Sequence, residues 1–147
     1  MKRFRLLLAL LLFPCWAALS APARADVFVV VHRDSPLREL TPSQVSDLYL
    51  GRSRSLPGSE AILVIERGQD SSLRASFFRL LNGMSLKQIN AYWARLQFSG
   101  QVLPPPNFGD SKLLLAAIRS NRLAIGYIDA SEADDSVSVV LRLRDTQ

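Results

Sequence analysis

Hydrophobic residues along the chain fall into short continuous runs separated by stretches with helical spacing, the alternation expected of a small layered α/β domain. Residues 27–32 read VFVVVH, a β-branched and aromatic run of the kind found in strands covered on both faces, and predict a central strand. Thr41-Pro42-Ser43-Gln44 then predicts a helix start: Thr41 can cap, Pro42 suits the first helical position, and Gln44 completes a capping box. Val45, Leu48 and Tyr49 share one face of that helix, and Gly51 can end it in the left-handed conformation. Past the Pro57-Gly58 turn, AILVI at 61–65 predicts a second strand, and strand, helix and strand in series suggest a βαβ unit.

The next helix opens near Ser72, with Leu73, Phe77, Leu80 and Leu81 inward, and Asn82-Gly83 stops it. Ser85-Leu86-Lys87-Gln88 repeats the capping-box chemistry ahead of a longer helix whose stripe is Leu86, Ile89, Trp93 and Leu96, ending near Phe98-Ser99-Gly100. Pro104-Pro105-Pro106 reads as a stiff, extended connector. Asp110 or Ser111 can cap a helix carrying Leu113, Leu114, Ala117 and Ile118, which Asn121 ends. AIGYI at 124–128 predicts a buried strand in which Gly126 marks a close backbone approach or a bulge. Val137 to Leu143 alternates as a half-exposed edge strand does. The fold class is thus α/β, a small mixed sheet flanked by helices.

Composition changes the picture mainly at the amino end. Lys2, Arg3 and Arg5, the apolar run Leu6 to Phe13, and Ala23-Arg24-Ala25 form the three parts of a secretory signal peptide, with cleavage expected after Ala25. The run is short for a membrane span. Cys15 follows Phe13 and Pro14, which do not resemble a lipoprotein cleavage site. The remaining residues 26–147 suffice for one compact domain and are too few for two. Removing the four basic residues Lys2, Arg3, Arg5 and Arg24 from the 18, with all 13 acidic residues retained, lowers the formal charge from +5 to +1. The basicity therefore belongs to the leader, and no nucleic-acid partner is implied. The part after residue 25 has no cysteine, so an oxidising, periplasmic location is compatible and packing alone must hold the fold. No cysteine or histidine cluster offers a metal site, and no cofactor is implied.

The chemistry of interest lies in ERGQDSSLR at 66–74, between a strand and a helix start. A helix amino terminus exposes unpartnered N–H groups and attracts anions. Ser71 and Ser72 permit close approach and can donate hydroxyl hydrogens, while Arg67 and Arg74 can supply charged contacts from both sides of the turn. Ligands in open α/β sheets gather beyond the carboxyl ends of strands, where this loop falls. The other reading is an ordinary turn: Asp70 or Ser71 caps the helix, the arginines are solvated, and Asp70 would repel an anion.

The order of L-Y-L-G-R at 48–52, E-R-G-Q-D-S-S-L-R at 66–74 and L-A-I-G-Y-I at 123–128 resembles one lobe of the periplasmic phosphate-binding proteins of ABC phosphate importers, a type II periplasmic binding protein lobe. Those proteins carry an "IF-x-G-x-I" helix end, an "R-S-D-G-S-G-T" phosphate loop and an "A-I-G-Y-V" strand. Carried over by position, the resemblance places Arg67 at the loop arginine and Ser71 at the serine. Ser72 stands at the glycine, Leu73 at the threonine and Gln69 at the aspartate, so a hydroxyl and an acid are displaced or lost. Arg74 compensates if it faces the ligand. The family closes two lobes over its ligand, and this chain supplies one, which implies weak or partner-completed binding of phosphate or a similar oxyanion.

The resemblance further implies a membrane transporter or sensor as partner, and a binding protein rather than an enzyme. An alternative of a different class is an accessory protein for interaction or sensing that keeps the lobe without the ligand. The oligomeric state is left open. His32, the only histidine, is expected at a strand end near the rim of the serine loop, but a Ser71/His32 catalytic pair lacks an oriented third group and a nucleophile-elbow pattern. Tyr92, Trp93, Arg95 and Phe98 suggest ligand stacking, yet the spacing of Trp93 with Ile89 and Leu96 favours core packing.

Overall fold

The computed structural model describes residues 26–69 and 71–145. The expected leader, with Cys15, and the carboxylate of Asp70 lie outside the described residues. Strand β1 (Val27–His32) is followed by helix α1 (Pro42–Tyr49), two short strands β2 (Leu63–Val64) and β3 (Glu66–Arg67), and helices α2 (Ser72–Asn82) and α3 (Leu86–Phe98). Then come β4 (Asn107–Phe108), α4 (Ser111–Ser120), β5 (Ala124–Asp129), a 3-10 turn at Ala130–Glu132, and β6 (Val137–Leu143). Four strands form one mixed sheet in the order β2-β5-β1-β6, while β3 and β4 pair separately and parallel.

The helix signals act as the sequence suggests. Thr41 with Gln44 and Ser85 with Gln88 form reciprocal capping boxes, and Ser71 and Asp110 cap α2 and α4. Gly51 adopts φ +66°, and a Cβ there would lie 3.0 Å from the Trp93 ring, so both conformation and space call for glycine.

The expected βαβ unit does not form. β5 sits between β1 and β2, antiparallel to the first and parallel to the second, so β1 and β2 are neither adjacent nor parallel. The place beside β1 goes to the strand that fits it better: β5 offers five paired positions to β1, whereas β2 has only two residues in register with β5. β6 lies on the other side of β1, with a register shift at Val29/Val30.

Alternation along β1 and β5 sends side chains into two cores. Val27, Val29, Val31, Ile125 and Tyr127 join α1, α2 and α3 on one face, while Val30, Ala124 and Ile128 join α4 and Ile65 on the other. The first core contains a ring cluster: Phe77 stacks on Tyr127 at 3.9 Å between centroids, and Tyr49 meets Phe77 edge-on at 4.7 Å. The second is aliphatic, and α4 presses so close that a Cβ on Gly126 would lie 2.9 Å from side-chain carbons of both Leu114 and Ile118. In α4 the inward residue is Leu115, not Leu113, which is exposed.

Candidate functional site

The site begins where the chain leaves the sheet. The Ile65 N–H still bonds to the Ile125 carbonyl at 2.9 Å, but the next N–H, of Glu66, turns to Pro106 at 2.9 Å, and Glu66–Arg67 pair with β4. Such a switch leaves backbone groups without ladder partners, and buried ones must find others. Tyrosine hydroxyls supply them. Tyr49 donates to the Ile65 carbonyl at 3.1 Å, and the Arg67 N–H reaches the Tyr127 hydroxyl at 3.4 Å. Burial, then the neighbouring Glu66 charge, pushes the Tyr127 hydroxyl well above its ordinary pKa; burial does the same for Tyr49. Both therefore stay protonated.

Past the switch, Gly68 N–H bonds to Phe108 O and Ser71 N–H to Gly68 O, which turns the loop into α2. Ser71 is half-buried, and its Oγ accepts the Arg74 N–H at 3.4 Å as the helix cap; Ser72 is exposed at the first helical position. Among the described residues no acceptor lies on the N–H groups of Ser72 and Leu73. Leu73 itself is buried in the core.

Arg67 is half-buried and crosses to the other helix start: its Nη1 donates to Ser111 Oγ at 2.6 Å. Its Nε is shielded and meets no acceptor among the described residues, and no carboxylate there pairs with it. On its α3 side opens a cavity of about 220 Å3, which Arg67 borders together with Glu66, Gln69, Arg74, Asn90 and Trp93. Arg67 thus reaches the amino end of α4, which the Asp110 carboxylate caps, from a position in the chain just ahead of the amino end of α2; helix amino ends attract anions.

Arg74 corrects the expectation of a second charged arm at this rim. It is 3% exposed, and its Nε donates to Glu66 Oε1 at 2.5 Å while Nη1 donates to Asn90 Oδ1 at 2.7 Å and to the Gln69 carbonyl at 3.3 Å. Its guanidinium lies 5.3 Å from the Phe78 ring centroid. Helical geometry explains this: at the third position of α2 the side chain points back over the first turn toward β3, where a buried carboxylate waits. Burial pushes the Glu66 carboxyl above its ordinary range, and the hydrogen bond and charge of Arg74 pull it back.

His32 also departs from expectation. Because β1 runs antiparallel to β5, His32 lies beside Val137 at the end where β5 begins, whereas Arg67 follows β2 at the end where β5 finishes. Its Nδ1 accepts the Asp34 N–H at 2.9 Å, so the strand-end reading stands and a Ser71/His32 pair does not. Trp93 is a core residue. Sequence reasoning gave Ser111 only a capping role, and nothing local marked Glu66, Asn90 or Tyr127, whose partners are set by tertiary contact.

No protein-family model matches the chain, and no curated protein sequence does. Solved structures do. A phosphate ABC transporter substrate-binding protein from Clostridium perfringens, determined with bound phosphate, superposes with a TM-score of 0.63 at 26% identity, over 79% of this chain and 45% of that one. An ABC-type phosphate transport receptor from Vibrio cholerae gives 0.61 at 21% identity, over 79% and 46%. PstS from Borrelia burgdorferi gives 0.58 at 11%, over 80% and 47%. The chain spans less than half the length of these structures. With its small mixed sheet and helices on both faces, it is a single-lobe structural relative of the phosphate ABC transporter substrate-binding proteins.

Proposed function

We propose that the protein binds phosphate or a similar oxyanion, weakly by itself or with a partner completing the site, and serves a membrane transporter from the periplasmic side after removal of a signal peptide. Arg67 provides the charge, Ser72 and the first turn of α2 provide N–H and hydroxyl donors, and Ser71 shapes that turn as its cap. Ser111, held by Arg67, keeps its own hydroxyl hydrogen for a ligand oxygen. The observation that carries this reading is Arg67: a cation with no carboxylate partner among the described residues, bonded to Ser111 at the amino end of α4, in a fold shared with a protein that was solved holding phosphate. Ser72 is exposed, and charge-assisted bonds at a solvent-facing rim are weaker than in a dry cleft, which supports weak binding unless a partner covers the site.

Calorimetric titration of the purified protein with phosphate tests this. Saturable heat is expected for the parent chain, and none for Arg67→Ala; Ser72→Ala should bind roughly three- to tenfold more weakly, the loss of one hydrogen bond. Equal heats in all three proteins would remove the reading.

A further inference from the structure

We propose that Arg74 is a positioning residue: it never touches the anion, but fixes Glu66 to Gln69 and the Ser71 cap, and with them the point at which Arg67 and the first turn of α2 meet a ligand. The inference rests on the oxyanion reading for what that point holds, and on geometry alone for the fixing. Three side-chain bonds tie Arg74 to β3 through Glu66, to the loop through the Gln69 carbonyl, and to α3 through Asn90. Its own N–H reaches the Ser71 cap. Glu66 before Arg67 and Gln69 after it are therefore held by one guanidinium, and the helix cap by the backbone N–H of the same residue.

Energetics support positioning over mere stabilisation. Removing two charges from water costs about as much as their attraction returns, so an apolar pair of similar volume would stabilise this place at least as well. What an apolar pair cannot do is specify one loop conformation through directional bonds. Nor does Arg74 contribute much field at the rim, because Glu66 cancels its charge at 2.5 Å. Lysine would keep the charge and lose the planar fork that serves Glu66, Gln69 and Asn90 together. Asn90 offers the gentler probe, since it is exposed, belongs to α3 and lies apart from the loop in sequence.

The test compares the purified parent protein with Arg74→Lys, Asn90→Ala and Arg67→Ala by amide NMR without phosphate, by calorimetric phosphate titration, and by thermal melting. Asn90→Ala is expected to melt close to the parent, yet to shift the Gly68, Ser71, Ser72 and Leu73 amides and weaken phosphate binding roughly three- to tenfold; Arg74→Lys should weaken it roughly ten- to a hundredfold, with larger shifts. Arg67→Ala should lose binding with the α3-side amides unmoved. Folded Arg74→Lys and Asn90→Ala proteins with parental loop amides would overturn the inference, whether affinity held or fell; a fall without amide movement would place Arg74 on the anion. If Arg74→Lys fails to fold, Asn90→Ala decides alone. Should the parent bind no phosphate, the oxyanion reading fails, while the amide shifts still decide whether Arg74 sets the loop.

Discussion

The two faces of the sheet bury similar kinds of strand residue but end differently. On the face shared with α1, α2 and α3 the core holds a cluster of rings among its aliphatic residues, and two of those rings carry hydroxyls that reach the strand switch below the candidate site. On the α4 face the buried core is aliphatic, and the polar contacts of that helix lie at its two ends: Ser111 accepts Arg67 Nη1 at 2.6 Å at the site, and Arg119 pairs with Asp134 at 2.9 Å in solvent at the other. The difference teaches that one core props the strand switch through the hydroxyls of its own rings, while the buried side chains of the other carry no polar group to the loop. Substitutions on the aromatic face should therefore disturb stability and binding together, and those on the aliphatic face stability alone.

The largest expected effect is Phe77→Ala, which removes the ring stacked on Tyr127 and should cost about 3–5 kcal/mol in urea denaturation. The counterpart Leu114→Ala should cost about 2–4 kcal/mol. Amide shifts at Gly68 to Leu73 in the first protein and not in the second would sharpen the contrast; equal shifts in both would break it. Gly126→Ala comes next, at about 1–3 kcal/mol from overpacking against Leu114 and Ile118, again with phosphate heats unchanged. Tyr127→Phe should cost about 1–2 kcal/mol, since it strips the Arg67 N–H of its partner, and should lower phosphate affinity several-fold in the same titration. A binding curve identical to the parent's would show that the hydroxyl supports the fold without supporting the site.

The smallest effect belongs to the outer surface. Two hydrogen bonds from Ser136, side chain first and then backbone, with Arg119 beside them, hold the Asp134 carboxyl below its ordinary pKa. A carboxyl depressed in the folded state stabilises at pH values above its ordinary range, and that contribution is lost as pH falls through the depressed value. Ser136→Ala should move the Asp134 titration, followed by carboxyl NMR, upward toward the ordinary value. Phosphate binding and the loop amides should not respond.

Local chemistry made much of this fold readable. The β1 run, the Thr41 and Ser85 capping boxes, the helix stop at Gly83 and the close approach at Gly126 each depend on residues within a few positions, or on backbone space that one residue type reveals. Pairing between distant segments was not readable in the same way. AILVI has one hydrophobic signature, yet it divides at Ile65 because Pro106 and the β4 backbone compete for Glu66. The same holds at the site. Arg67 and the Ser71 cap follow from the loop sequence, but the burial of Arg74 depends on Glu66 and Asn90 meeting it from two other elements, and Ser111 becomes relevant only because Arg67 crosses 44 positions to reach it. His32 was misplaced for a related reason: strand direction sets the end of the sheet on which a residue emerges, and periodicity carries no direction.

The central place of β1 has a consequence for assembly. Its partners on both sides, β5 and β6, follow all four helices in sequence, so β1 has nothing to zip against until those helices and both strands have been synthesised. Sequence-distant pairing of this kind slows folding and disfavours a native-like sheet in a nascent chain.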